Sequence, residues 1–133
     1  MRDRVGQQLG NYRLLRLIGR GATAEVYLGE HIFLKRRAAL KVMYNMLADE
    51  EVNPFLLEAC TLARLTHPNI VSVHEFDVEE GTPFLVIDYA PRGTLRSLHP
   101  TGSCLSLATT VSYVKQIAAA LQYAHNHQVI HRD

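Results

Sequence analysis

Two charged residues that lie in apolar segments are the first candidate functional residues in this sequence. Lys41 lies in the strand-like run 38–43, where alternation places Leu40 and Val42 on one side and Lys41 on the other. Glu58 follows 17 positions later, in a second apolar segment. Each charge alone could extend into solvent along the surface. Together they predict a buried Lys41–Glu58 ion pair, because an unpaired buried charge is very costly.

The segment around Glu58 has the features of a helix. Asn53 is a favoured N-cap and Pro54 a favoured first residue, so we predict a helix over residues 54–65. Glu58 borders the apolar stripe of this helix, which recurs at intervals of three to four residues and consists of Phe55, Ala59, Leu62 and Leu65. The helix would therefore carry Glu58 on the side that packs against the rest of the protein.

A glycine-containing loop joins two predicted strands, residues 12–18 and 25–29. Gly19 and Gly21 would let the backbone approach a phosphate closely, because no Cβ intervenes and positive φ is available. A dinucleotide-binding loop would be followed by a helix, and a P-loop by G-K-[ST]; neither follows here. This pattern alone leaves open an ordinary hairpin with glycines in its turn.

The remaining predicted elements are two more strands and one long helix. Residues 70–76 and 84–88 are predicted to form an antiparallel pair joined by the polar loop 77–82. Ser106 is a good cap for a helix over residues 107–126. The apolar face of this long helix would consist of Val111, Val114, Ala118 and Leu121.

The composition excludes several classes of protein. The 133 residues carry a net charge of +1, which offers no case for a nucleic-acid-binding surface. No apolar run approaches the ~18 residues of a membrane helix, and the N-terminus is too polar for a signal peptide, so we expect a soluble, cytoplasmic protein. Cys60 and Cys104 are expected to be reduced. His125 and His127 would face different sides of a helix, so we expect no metal site there.

These features belong to a series of short motifs along the chain: Ile18-Gly19-Arg20-Gly21, Ala24-Glu25-Val26-Tyr27, Ala39-Leu40-Lys41, Glu58, His67-Pro68-Asn69-Ile70-Val71, Leu85-Val86-Ile87-Asp88-Tyr89, Gly93-Thr94-Leu95 and His131-Arg132-Asp133. With these motifs in this order, the sequence resembles the N-terminal half of a protein kinase, most of all the bacterial serine/threonine kinases of eukaryotic type. The resemblance implies an α+β fold: a kinase N-lobe over residues 11–91, with a five-stranded antiparallel sheet and an αC helix. A tail over residues 1–10 would precede it, and the first helices of an incomplete C-lobe would follow over residues 92–133.

The resemblance also implies where ATP would bind. The loop over residues 19–26 would cover the nucleotide, and Ile18, Val26 and Ala39 would form the apolar roof over adenine. Ile87 resembles the gatekeeper residue of the family. The full set of nucleotide-binding residues implied in this way is Ile18, Gly19, Arg20, Gly21, Ala22, Thr23, Ala24, Val26, Ala39, Lys41, Ile87, Asp88 and Ala90.

Three residues would take part in catalysis by the same resemblance. Lys41 would contact the α- and β-phosphates while pairing with Glu58, and Asp133 would be the catalytic base. The backbone of Asp88 and Ala90 resembles the hinge that hydrogen-bonds the adenine edge. Where the family has the third glycine of its loop, this sequence has alanine, which makes the loop stiffer.

The implied activity is ATP-dependent phosphoryl transfer to serine or threonine hydroxyls of a protein substrate, with Mg²⁺ as cofactor. The family holds magnesium with an Asn after H-R-D and with the Asp of D-F-G, and neither motif is found among the 133 residues. We therefore expect these residues alone to be inactive. We also expect the long helix to expose its apolar face, which predicts association or a protease-sensitive C-terminal third.

Two other classes of protein stay open. One is a non-catalytic, kinase-like module that binds nucleotide weakly or docks a partner. The other is a small-molecule phosphotransferase of the same fold. His67-Pro68-Asn69-Ile70 and His131-Arg132-Asp133 resemble protein kinases more than antibiotic-type kinases, which disfavours the second alternative.

Overall fold

The computed structural model describes residues 4–44, 56–57 and 59–131. The chain falls into two compact units, Met1–Arg64 with Ser72–Tyr89, and Leu65–Val71 with Ala90–Asp133. All six strands belong to the first unit and the long helix to the second, so each unit is described by itself.

The first unit is built on an antiparallel sheet of six strands in the order β1-β2-β3-β4-β6-β5. A helix, α1, lies in the connection from β4 to β5 and is helical at residues 56–57 and 59–63. The strands are β1 (Gln8–Leu9), β2 (Tyr12–Arg20), β3 (Ala24–His31), β4 (Arg37–Met43), β5 (Val73–Glu79) and β6 (Thr82–Ile87).

One face of this sheet forms the hydrophobic core. Tyr27, Leu40 and Val86 come from three adjacent strands, lie opposite one another in the register and are fully buried. Gly29 belongs to this packing, because a Cβ there would lie 2.3 Å from the Leu40 Cδ1. Since side chains alternate along a strand, burying Leu40 turns Lys41 to the other face, as predicted. The core cluster also contains Leu9, Leu14, Ala38, Val42 and Phe84.

The structure confirms the α+β fold class and adds one strand to the five that the sequence predicts. Strand β1 pairs with β2 through Gln8↔Arg13 and Leu9↔Tyr12, inside the segment expected to be a tail. Leu9 is fully buried, and its burial favours this short pairing. A two-residue strand has too few positions to show an alternating pattern, so sequence periodicity does not reveal it.

The β5–β6 hairpin turns more tightly than predicted. The sequence predicts a loop over residues 77–82, but β5 continues to Glu79 and the turn consists of Glu80 and Gly81. Their φ values are 49° and 75°, and positive φ at both central residues is what a type I′ turn requires. Because this turn matches the twist of the strands, the strands stay paired up to Glu79↔Thr82.

Helix α1 corresponds to the helix predicted over residues 54–65. Its described part is helical as expected up to residue 63 and ends two residues before the predicted end, and Ala59 on the predicted apolar stripe is buried. The predicted cap at Asn53 and Pro54 lies outside the described residues, as does Glu58.

The second unit contains two helices that are capped by hydroxyl side chains. Helix α2 (Leu95–Leu98) is a single turn capped by Thr94. Helix α3 (Leu107–Asn126) has Ser106 as its cap, with the Thr109 N–H donating to the Ser106 Oγ, which confirms the predicted range and cap.

A turn in the second unit explains why β5 starts later than predicted. The Ile70 N–H donates to the His67 carbonyl at 3.1 Å, so the chain turns there and β5 begins at Val73 instead of residue 70. The same segment is tied to α3 by a hydrogen bond of 3.1 Å from the Thr66 N–H to the Tyr123 Oη.

The predicted apolar face of α3 is exposed. Val114 is 58% exposed, Val111 and Leu121 are also exposed, and Ala124 is the buried residue of the helix. Within the described ranges, no helix combines the length and the hydrophobicity needed to cross a membrane.

Candidate functional site

The face of the sheet opposite the core brings together most of the predicted adenine-binding residues. Val26 pairs with Lys41 between β3 and β4, and Lys41 pairs with Leu85 on β6. Two residues along β4, Ala39 pairs with Ile87. Directly paired residues of an antiparallel sheet carry their side chains on the same face. We call this face, formed by Val26, Ala39, Lys41, Leu85 and Ile87, the site face.

The site face is apolar apart from Lys41 and is only partly covered. Ala39 and Leu85 are buried, whereas Val26, Lys41 and Ile87 are half-buried. Among the residues that the structure describes, Lys41 has no ion-pair partner. Its predicted partner, Glu58, lies outside the described residues, so the ion pair stays a prediction. The accessible part of the face therefore offers one cation in apolar surroundings.

The glycine loop continues from the same face. Gly19 pairs with Val26 across the β2–β3 hairpin. Ile18 occupies a bulge immediately before Gly19 and is 37% exposed. At the tip of the hairpin, the Gly21 N–H donates to the Ala24 carbonyl at 2.8 Å.

Neither Gly19 nor Gly21 is required by the geometry of the turn. Both have ordinary φ values, so the positive φ that glycine makes available is not used. A Cβ would lie 3.9 Å from its nearest neighbour at Gly19 and 3.5 Å at Gly21, which is ordinary van der Waals contact. Only the close approach of another molecule would therefore require these residues to be glycine.

Two consecutive backbone amides at the loop tip have no acceptor in the described part of the chain. No described residue accepts a hydrogen bond from the N–H of Ala22 or Thr23. Successive unpaired N–H groups in a turn form a concave, positively polarised site for anions. The loop thus has the donors that a phosphate group requires.

A buried carboxylate at the base of the loop belongs to one of the motifs that carry the resemblance, but it has no role in the site predicted from the sequence. Glu25 is 3% exposed and accepts a hydrogen bond of 2.8 Å from the Tyr27 hydroxyl. Its Oε1 lies 3.2 Å from the Arg20 Nε, although the two groups are not aligned as a hydrogen bond. Arg20 pairs with Glu25 across the hairpin, and this opposition is the sequence signal that could have revealed the contact. Electrostatic attraction to the Glu25 carboxylate therefore holds the Arg20 side chain at the loop.

Tyr44 also contacts the loop and is likewise absent from the predicted set. The Tyr44 N–H donates to the Thr23 carbonyl at 3.1 Å, and the Tyr44 hydroxyl donates to the Gly21 carbonyl at 3.1 Å. The sequence does not reveal this contact, because Tyr44 and Gly21 are 23 positions apart and meet only through strand pairing.

The predicted hinge residue Asp88 is fixed from two directions. Its backbone N–H donates to the Ser72 carbonyl at 3.0 Å, while its carboxylate accepts from the Ser72 N–H at 2.8 Å. His74 Nε2 lies 2.6 Å from the Asp88 Oδ1. The hydrogen bond from the Ser72 N–H, helped by His74, holds the pKa of the Asp88 carboxyl below its usual value of 3.8. Since the Asp88 N–H is engaged, its carbonyl is the backbone group left for a ligand.

The other predicted hinge residue, Ala90, belongs to the second unit. Its carbonyl accepts a hydrogen bond from the Gly93 N–H at 3.1 Å, and its own N–H has no acceptor among the described residues. The predicted catalytic base, Asp133, lies outside the described residues. The described groups can therefore bind an anion and an apolar ring, and proton transfer by Asp133 stays a prediction.

Comparison with known proteins identifies the family. Residues 12–133 match the protein kinase domain. The sequence is 34% identical over 132 residues to the serine/threonine-protein kinase PrkC of Bacillus subtilis (strain 168), covering 97% of this chain and 20% of PrkC. It is 40% identical over 131 residues to the serine/threonine-protein kinase PknD of Mycobacterium tuberculosis (strain ATCC 25618 / H37Rv), with 97% and 20% of the two chains covered.

A solved structure agrees with this relationship. The crystal structure of the Mycobacterium tuberculosis PknI kinase domain is similar with a TM-score of 0.78 and 33% sequence identity, covering 97% of this chain and 53% of that one. The chain belongs to the protein kinase family, and these curated relatives are bacterial serine/threonine-protein kinases. It spans about one fifth of the length of the curated relatives it matches.

Proposed function

We propose that this chain is the nucleotide-binding part of a serine/threonine protein kinase and that it binds ATP on the site face. One observation carries the proposal. Lys41 and Val26 are paired on a half-exposed apolar face, and the adjoining hairpin has acceptor-free amides at Ala22 and Thr23, within the described part of the chain. A cation beside such amides suits a phosphate chain, and the apolar surface suits a purine ring.

Each group has a distinct part in binding. The Lys41 ammonium would bind the α- and β-phosphates, with Glu58 as its partner. Val26 and Ala39 would cover one face of adenine, with Ile18 at the edge. The following residues complete the proposed nucleotide site: Gly19, Arg20, Gly21, Ala22, Thr23, Ala24, Ile87, and the backbone of Asp88 and Ala90.

In the whole protein we propose transfer of the γ-phosphoryl group to a serine or threonine hydroxyl of a protein substrate. Magnesium would supply neutralisation of the charge on the phosphates. The family's magnesium ligands, an Asn after H-R-D and the Asp of D-F-G, are not among the 133 residues. Asp133 would accept the proton of the substrate hydroxyl. These 133 residues alone are therefore expected to bind nucleotide without transferring phosphate.

The test is a calorimetric titration of the 133-residue chain with ATP and with adenosine. Replacing Lys41 by alanine removes a charge-assisted contact to phosphate, so ATP affinity should fall about tenfold or more while adenosine affinity is unchanged. Lys115→Ala on α3 is the matched control and should leave both affinities as in the wild type. Equal ATP affinity in the wild type and Lys41→Ala would contradict the proposed site.

A second measurement tests catalytic competence. The 133-residue chain is incubated with radiolabelled ATP, Mg²⁺ and a generic acceptor protein, and incorporation of phosphate is measured. No incorporation above that of Lys41→Ala is expected. Incorporation that depends on Lys41 would show that residues 1–133 suffice for transfer and would overturn the expectation of inactivity.

A further inference from the structure

Tyr44 is a half-buried residue that follows β4 and makes two hydrogen bonds to the glycine loop. One comes from its backbone N–H to the Thr23 carbonyl and the other from its hydroxyl to the Gly21 carbonyl, both at 3.1 Å. The loop has one internal bond, from Gly21 to Ala24. Among the described residues, two of the three hydrogen bonds to the loop tip therefore come from Tyr44.

Because the peptide group is planar, the hydrogen bond from the Tyr44 hydroxyl fixes the orientation of the whole peptide group between Gly21 and Ala22. In a trans peptide the C=O and the following N–H lie in one plane and point in opposite directions. The Gly21 carbonyl and the Ala22 N–H belong to the same peptide group. When the Tyr44 hydroxyl holds the Gly21 carbonyl, it also fixes the direction of the Ala22 N–H, which has no acceptor among the described residues.

The same hydrogen bond indicates the direction of that amide. Tyr44 lies immediately after β4, and its hydroxyl holds the Gly21 carbonyl on the side of the loop that faces Tyr44. The Ala22 N–H, on the opposite edge of the same peptide group, therefore points away from Tyr44.

We propose that Tyr44 is a positioning residue for phosphate recognition. By holding the Gly21 carbonyl away from the phosphates, it keeps the Ala22 amide directed toward the same anion as Lys41. A carbonyl turned the other way would repel the phosphates. This inference rests on the proposed ATP site and assigns Tyr44 a part in it without contact between Tyr44 and the nucleotide.

The test compares Tyr44→Phe with the wild type in titrations with ATP and adenosine. Phenylalanine keeps the ring and the backbone bond and removes only the hydroxyl. Loss of one hydrogen bond predicts an ATP affinity about three- to tenfold weaker. Adenosine lacks phosphates, so its affinity should not change. A general loss of structure would weaken both ligands equally and would overturn the proposal.

The matched control is Tyr113→Phe, which removes a hydroxyl hydrogen-bonded to His99 in the second unit. It should change neither affinity. If the wild type binds ATP and Tyr44→Phe binds it equally well, the positioning role is wrong while the ATP site stands. If the wild type binds neither ligand, the proposed function fails, and the inference about phosphate recognition fails with it.

A measurement without ligand tests the hydrogen bond itself. Amide exchange at Gly21, followed by NMR, should be faster in Tyr44→Phe than in the wild type, because the Gly21 N–H donates to the Ala24 carbonyl within the loop and the loop has lost one of its restraints. Tyr113→Phe should leave it unchanged. Equal exchange in Tyr44→Phe and the wild type would show that the hydroxyl does not restrain the loop and would overturn the proposal at its first step.

Discussion

Charged side chains near the site are held by specific partners. Asp88 at the end of β6 accepts a hydrogen bond from the Ser72 N–H at 2.8 Å and lies 2.6 Å from His74. Glu25 is buried beneath the loop between the Tyr27 hydroxyl and the Arg20 guanidinium. The Asp88 contact holds backbone at the proposed hinge, and the Glu25 contacts join side chains at the base of the loop.

Asp88 gives a pH dependence whose sign follows from its lowered pKa. A carboxyl whose pKa is lower in the folded state stabilises the fold above its ordinary value of 3.8, and this stabilisation is lost as the pH falls through the folded pKa. In Asp88→Asn no such group titrates. The difference in free energy of unfolding between wild type and variant should therefore shrink as the pH falls from about 5 to about 2.

Urea unfolding at a series of pH values measures this difference. Asp77→Asn is the matched control, because Asp77 is an exposed aspartate of β5. A difference between wild type and Asp88→Asn that does not vary with pH would contradict the assigned cause. A large part of Asp88 is exposed, so solvent screening keeps the effect small.

At the scale of elements, the β2–β3 hairpin contains one glycine that packing requires and another that only ligand binding would require. Gly29 in β3 is required by packing, since a Cβ there would lie 2.3 Å from Leu40. Gly21 at the tip has room for a Cβ and an ordinary φ. Two glycines of one hairpin are thus present for different physical reasons.

The hairpin prediction uses the same substitution at both glycines. Gly21→Ala should leave the free energy of unfolding unchanged or raise it by up to about 1 kcal/mol, because alanine restricts the unfolded chain. It should weaken ATP binding, because the Cβ occupies space near the phosphates. Gly29→Ala should lower the free energy of unfolding by about 1–3 kcal/mol through overpacking.

Chemical unfolding measures the free energy of unfolding of the two variants, and titration with ATP measures their affinity for the nucleotide. The prediction fails if Gly21→Ala unfolds more easily than Gly29→Ala. It also fails if Gly21→Ala binds ATP as tightly as the wild type, because the glycine would then serve neither folding nor binding.

At the scale of the whole molecule, burial is unevenly distributed between the two units. Strands β4 and β6 are buried along most of their length, whereas the 20-residue helix α3 has one buried residue, Ala124. Since stability follows the apolar area removed from water, the sheet should account for most of it.

A matched pair of valines tests this distribution. Val42 is 1% exposed in β4, and Val114 is 58% exposed in α3. Val42→Ala should lower the free energy of unfolding by about 2–3 kcal/mol, because it removes two buried methyl groups and leaves a cavity. Val114→Ala should change it by less than about 0.5 kcal/mol. Equal losses in urea unfolding would show that α3 is as well packed as the sheet.

Prediction from the sequence succeeds where the pattern is local. Alternation along residues 38–43 is enough to place Lys41 opposite Leu40, and the register confirms it. The Ser106 cap and the apolar repeat define α3 to the residue. It is less successful at the β5–β6 turn, because a type I′ turn with Glu80 at φ 49° contains a residue that is uncommon at positive φ.

The sequence by itself determined the fold class and the family, and it predicts which residues would bind a nucleotide, because strand alternation, helix capping and short motifs depend on neighbours in the chain. Tertiary structure alone decided that Glu25 lies buried opposite Arg20, and that Tyr44 reaches Gly21 across 23 positions. Those contacts depend on the register between strands, which is set by packing of the whole sheet and not by any one segment.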